Sequence, residues 1–178
     1  MTPALRYSAS SRWLHWLTAV LVALIIVAGI WIRYFEPANE AFKLRLYNIH
    51  ESLGVTVFML VLIRLWNRYR NPPPPLPADT PGAIRIAAHA THMSLYALLI
   101  VMPIIGFLAT NAWGYPLSVF GVLPPLPSPV GKDEELAKLL SFLHWCGAIA
   151  IIMLIVGHLS GVIYHTFIRR DGLLRRML

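Results

Sequence analysis

Seven histidines, His15, His50, His89, His92, His144, His158 and His165, are spread along this chain. Imidazole can bind a metal through a neutral ring nitrogen or exchange a proton near neutral pH, so histidine spacing is the first clue to chemistry. The most informative stretch is LHWCGAIAIIMLIVGHL, residues 143–159, which holds two histidines and no charged residue. On a helix rising about 1.5 Å and turning about 100° per residue, His144 and His158 lie roughly 21 Å apart and within about 40° around the axis. They share one face at two heights.

The elements that would position these rings are membrane spans. The chain has 178 residues, 57% of them hydrophobic and only 13% charged, with a mean hydropathy of +0.63. That composition lies outside the range of ordinary soluble domains. Uncharged stretches cover residues 13–32, 86–131 and 139–168, and a weaker one covers residues 52–63. A span needs about 20 mostly apolar residues, so the first and last qualify directly. The middle stretch is interrupted by WGYPLSVFGVLPPLPSPVG, residues 113–131, leaving one span before it. The weaker stretch becomes a span once His50, Glu51 and Arg64 are placed near the two interfaces. The expectation is an all-α integral membrane four-helix bundle, a single domain over residues 1–178 with helices at about 12–33, 47–68, 86–110 and 133–169. The first apolar run exceeds the 7 to 15 residues of a signal peptide core and already holds His15, so it reads as a retained helix.

Charge placement supplies an orientation. The N-terminal segment, the second connection and the tail together hold ten of the fifteen basic residues against Asp79 and Asp171. The other side holds Arg33, Lys43, Arg45, Lys132 and Lys138 against six acids that include Glu36 and Glu51. Both termini are therefore expected to be cytoplasmic. The net charge of +7 is explained by membrane topology without a nucleic acid partner. A lone cysteine, Cys146, permits no disulfide within one chain, and the absence of C-x-x-C-H excludes covalently attached haem. NPPPPLPADTP, residues 71–81, reads as an extended linker, and MPIIG in the third span as a kink.

Topology then pairs the histidines. His15 and His158 fall at the cytoplasmic level, and His50 and His144 at the outer level. Two imidazoles from different helices suit haem, whose macrocycle is held by axial ligands on opposite faces of its iron. Structural zinc wants four ligands, and di-iron bundle sites want glutamates along with histidines. Gly54, Gly147, Gly157 and Gly161 lie near these histidines. They either admit a macrocycle edge or serve ordinary small-residue helix packing, as the GHLSG sequence would.

Several segments resemble the bacterial di-haem cytochrome b561 family: LHW at 14–16, NIHESLG at 48–54, AHATH at 88–92, PIIG in the third span, LHW at 143–145 and GHLSGVIYH at 157–165. The similarity covers essentially the whole chain. It implies an inner-membrane protein with two b-type haems that exchanges electrons with membrane quinone, ubiquinone in particular. By the same resemblance, His15 and His158 are the inner haem ligands and His50 and His144 the outer ones. One type of relative is a superoxide oxidase, which passes electrons from periplasmic superoxide to ubiquinone.

Irons with two histidines each keep no open position, so their role would be to relay electrons. His165, seven residues past His158, is a candidate quinone contact or proton exchanger. His89, His92 and Arg64 are candidate contacts for haem propionates or quinone, a guanidinium being suited to bind carboxylate in a two-pronged fashion. The outer basic residues could draw in an anion such as superoxide, although the acids among them weaken the field. The six tryptophans lie mostly near span ends, as an aromatic belt would. The alternative function is a haem-bearing membrane anchor for a respiratory dehydrogenase or hydrogenase, a redox protein partner. A histidine-lined metal transporter fits less well, because the spans lack acidic partners and inverted repeats.

Overall fold

The computed structural model describes residues 6–35 and 39–178, so Glu36 lies outside the described residues. Four long helices make up most of the chain: α1 (Ala9–Tyr34), α2 (Glu40–Arg70), α3 (Gly82–Ala112) and α4 (Glu134–Ile163). A π turn, Tyr164–Arg169, extends α4. All four helices are long and apolar enough to cross a membrane, and no strand occurs among the described residues.

Local chemistry sets where the helices begin. The side chains of Ser8, Asn39 and Asp133 accept hydrogen bonds from the backbone N–H of Ser11, Phe42 and Leu136, capping α1, α2 and α4. Glu134 and Glu135 add negative charge to the first turn of α4, where the helix dipole favours it. Pro81 precedes α3, and α2 gives way at Asn71 to four prolines that cannot donate a ladder hydrogen bond.

The helices pack mainly as two pairs, α1 with α2 and α3 with α4, joined by α2 against α3. Val22, Val57 and Val61 form a buried core, with Leu21, Ile26, Leu99 and Ile155 packed around it. Leu17, Val20, Leu24, Val27 and Trp31 of α1 are exposed on one face. In lipid such a face costs nothing, whereas in water it would be a large apolar patch.

The end of the bundle that carries the chain termini, here the terminal end, is laced by its tail. Tyr7 N–H donates to the Arg176 carbonyl, Trp16 Nε1 to the Met177 carbonyl and Arg176 Nη1 to the Pro75 carbonyl. At the far end, the connection between α3 and α4 folds onto α2. Asn48 Nδ2 donates to the Ser118 carbonyl at 2.6 Å, and the Phe120 N–H donates to Ser52 Oγ at 2.7 Å. Those bonds hold Phe120 at φ 53°, a left-handed conformation that side chains disfavour.

Candidate functional site

A seven-residue interval runs through all four helices. It places His15, Val22 and Gly29 on α1, and His50, Val57 and Arg64 on α2. On α3 it places His92, Leu99 and Gly106, and on α4 His144, Ile151 and His158. Seven residues are almost two full turns, so each triplet lies along one side of its helix. The bundle is thereby divided into a terminal level, an apolar middle and a far level.

At the far level, the rings of His50 and His144 meet with centroids 6.2 Å apart and planes at 69°. At the terminal level, His15 and His158 stand with centroids 6.2 Å apart and planes at 62°. Two imidazoles on opposite sides of one metal, each with a metal–nitrogen distance of about 2.0 to 2.1 Å, have centroids roughly 6 Å apart. Both pairs therefore have the separation of an axial ligand pair, and each joins helices from different halves of the bundle.

The neighbours of the rings differ between levels. A Cβ added to Gly29 would stand 3.1 Å from Cε1 of His50, and one added to Gly106 would stand 3.0 Å from Cε1 of His144. Each far-level ring thus lies against the bare backbone of the helix it is paired with. Nδ1 of His50 and of His144 is buried and has no hydrogen-bond partner among the described residues. A neutral ring with its proton on Nδ1 presents the lone pair of Nε2, the form in which imidazole binds iron.

At the terminal level those positions are polar. Arg64 Nη2 donates to Nδ1 of His15 at 3.2 Å, and its guanidinium lies 5.3 Å from the centroid of the Tyr96 ring. The His92 ring is 5.2 Å from that of His158. A guanidinium only donates, so with Arg64 against it Nδ1 of His15 accepts and the ring proton sits on Nε2. Binding iron through Nε2 requires the guanidinium to turn to an anion instead. The described residues give Arg64 no carboxylate, and haem brings two propionates. The donor set therefore fits haem at both levels. No cluster of three or more His, Cys, Asp or Glu side chains placed to share a metal ion occurs among the described residues, as a tetrahedral or di-iron site would need.

Of the other candidate residues, His89 is exposed and is not drawn into either pair. His165 is buried, with its Nδ1 2.6 Å from Asp171 Oδ2. The glycines divide. A Cβ on Gly54, Gly157 or Gly161 would meet nothing within 4 Å, whereas one on Gly147 would collide with Met102 Sδ, so Gly147 serves helix packing. Gly29, Tyr96 and Asp171 are not marked by sequence reasoning. Neither is Thr110, whose hydroxyl donates to Glu51 Oε1 at 2.7 Å and gives that acid a partner across α2 and α3. The seven-residue interval from His15 to Gly29 and from His92 to Gly106 is the signal that could have found the two glycines.

The chain is similar to known proteins over nearly its whole length. The profile of the family described as prokaryotic cytochrome b561 matches residues 6–178. The chain is 34% identical to cytochrome b561 homolog 2 of Escherichia coli (strain K12) over 174 residues, 97% of this chain and 91% of the relative. It is 27% identical over 174 residues to cytochrome b561 homolog 1 of the same organism, covering 97% of each chain. It is also 29% identical over 174 residues to the probable superoxide oxidase CybB of Yersinia pestis, covering 97% of this chain and 96% of that one. With the profile spanning all but the first five residues and four apolar spans beneath it, the chain belongs to the prokaryotic cytochrome b561 family, multi-pass electron-transfer proteins of the bacterial inner membrane that bind b-type haem.

Proposed function

We propose that this protein carries electrons across the membrane through two b-type haems, from periplasmic superoxide at the far end to ubiquinone at the terminal end. The observation that carries this reading is the pair of imidazole couples, each with centroids 6.2 Å apart, stacked at a fourteen-residue interval on α4. His50 and His144 would hold one haem and His15 and His158 the other, and iron bound in this way supplies reversible one-electron transfer. Arg64 would receive a propionate as it leaves Nδ1 of His15. The terminal end holds ten of the fifteen basic residues, which supports a cytoplasmic terminal end.

The overall reaction balances as two superoxide and one ubiquinone, with two protons, giving two dioxygen and one ubiquinol. The far end has an opening lined by Arg33, Ser141, Phe142 and Trp145, beside His144 on α4, where a small anion could approach. Lys138 there is paired with Glu134 and Glu135, so the attraction is local to the opening. At the terminal end, His165 is two turns beyond His158, where it would pass protons to a reduced quinone.

The test is the absorption spectrum and haem content of the purified protein, followed by superoxide and ubiquinone assays. The expected result is a low-spin b-type spectrum, two haems per chain by pyridine haemochrome, and ubiquinone reduction by superoxide with the isolated chain. A single haem would refute the pairing. Two haems without superoxide-driven quinone reduction, together with co-purification of a soluble dehydrogenase or hydrogenase, would instead assign the chain an anchoring role.

A further inference from the structure

The end of α4 departs from α-helical geometry where His165 sits. Tyr164–Arg169 forms a π turn, a costly and rare arrangement that recurs at functional sites. Arg170 then adopts a left-handed conformation at φ 53°, and the chain reverses so that the Asp171 N–H donates to the His165 carbonyl at 3.3 Å. This reversal sets the Asp171 carboxylate 2.6 Å from Nδ1 of His165. Both side chains are almost covered, with 8% and 11% of their surfaces exposed. A buried carboxylate against a buried imidazole, six residues on and reached only through two unusual backbone steps, is more than packing requires.

The charges around the couple form a short chain. Arg169 Nε is 3.3 Å from Asp171 Oδ2, and Arg169 Nη2 pairs with Asp79 Oδ2 in the second connection. The Leu173 N–H donates to Asp171 Oδ1, and the Tyr164 ring lies edge-on to His165. Burial raises the Asp171 pKa, but the His165 hydrogen bond, the Leu173 N–H and Arg169 together outweigh it and hold the carboxyl below its ordinary value. Asp171 is therefore ionised throughout the neutral range. Arg169 cannot pass protons, so its role is to brace the carboxylate.

We propose that Asp171 is a positioning residue for proton delivery to quinone. Its carboxylate fixes Nδ1 of His165 as the donor of their hydrogen bond and leaves Nε2 as the nitrogen that gives up and regains a proton. The inference rests on the quinone reading above. Each quinone takes two electrons and two protons. His165 would supply each proton from Nε2 in turn and recover it from cytoplasmic water, with Asp171 staying ionised. Without the carboxylate the ring can turn, or carry its neutral proton on the other nitrogen, so proton donation from Nε2 should slow.

The experiment uses the haem-loaded full chain, reduced beforehand and mixed with ubiquinone-1 while haem reoxidation is followed between pH 6 and 9. In Asp171→Asn, the rate should fall about tenfold across this range. Asp171→Glu should retain a rate within about threefold of the parent chain, and both variants should keep the parent haem spectrum. A parent-like rate in Asp171→Asn, or a glutamate variant no better than the asparagine one, overturns the role of Asp171. If the parent chain itself is not reoxidised by ubiquinone-1, the quinone reading fails and this inference falls with it. If Asp171→Asn loses haem while Asp171→Glu keeps haem and a parent-like profile, the carboxylate assignment stands. If both lose haem, Asp171 is structural and the inference is overturned.

Discussion

Replacing His144 by alanine is expected to leave one haem per chain in place of two, with the far-level haem lost and the terminal one retained. His144 and His50 form one couple and His15 and His158 another, and Val22, Val57 and Ile151 are buried between the two levels. Removing one imidazole takes away half of the axial ligation at that level and leaves a cavity that the neighbouring backbone cannot fill. Across about 21 Å of helix the other couple loses no contact. His50→Ala should behave identically, and His158→Ala should remove the other haem. Pyridine haemochrome gives the stoichiometry and low-temperature α-band spectra identify the haem that remains. Loss of both haems in His144→Ala would mean that the levels fold as one unit.

The second large effect is expected at a residue that carries no chemistry. Gly106→Ala should weaken haem binding at the far level by about ten- to a hundredfold, the range seen when groups supporting a metal ligand are altered. The new methyl carbon would stand 3.0 Å from Cε1 of His144, and the ring cannot retreat without leaving its place opposite His50. Gly29→Ala acts through His50 in the same way, its methyl carbon 3.1 Å from Cε1. Gly147→Ala is the informative control. Its methyl group would collide with Met102 Sδ, the end of a flexible thioether, so the chain loses packing but keeps both haems. Haem titration of the apoprotein, read at the Soret band, separates the three variants. Equal retention of haem in Gly106→Ala and Gly147→Ala would show that the close approach to His144 is incidental.

These two predictions show what the sequence discloses. The four spans and the depth at which each histidine falls follow from hydropathy and helix pitch, since both are properties of one segment at a time. Which residue of a neighbouring helix lies against a given ring is a matter of helix rotation and crossing. Gly29 sits in an ordinary apolar run, and nothing local marks it as the surface on which His50 rests. Arg64 reads equally well as a topological charge, and only the packing of α1 on α2 brings it to Nδ1 of His15. His92 and His89 look equivalent by type and position, yet they are three residues apart and diverge by about 60° around the helix, so that only His92 reaches His158. The Asp171 contact with His165 was hidden for a different reason: a π turn and a left-handed residue break the regular spacing from which facing residues are inferred.

The middle layer of Val22, Val57, Leu99 and Ile151 has an electrical consequence. It contains no group that can carry a proton or bind an ion, so it acts as the dielectric of a small capacitor whose plates are the two histidine levels. Moving a full charge across a membrane at 100 mV costs or yields about 2.3 kcal/mol. An electron crossing from the far level to the terminal level traverses about two thirds of the hydrocarbon thickness. With the terminal end inside, as proposed above, and a negative cell interior, that step runs against the field. The apolar layer thus makes the membrane voltage a brake on electron entry, strongest when the cell is fully energised.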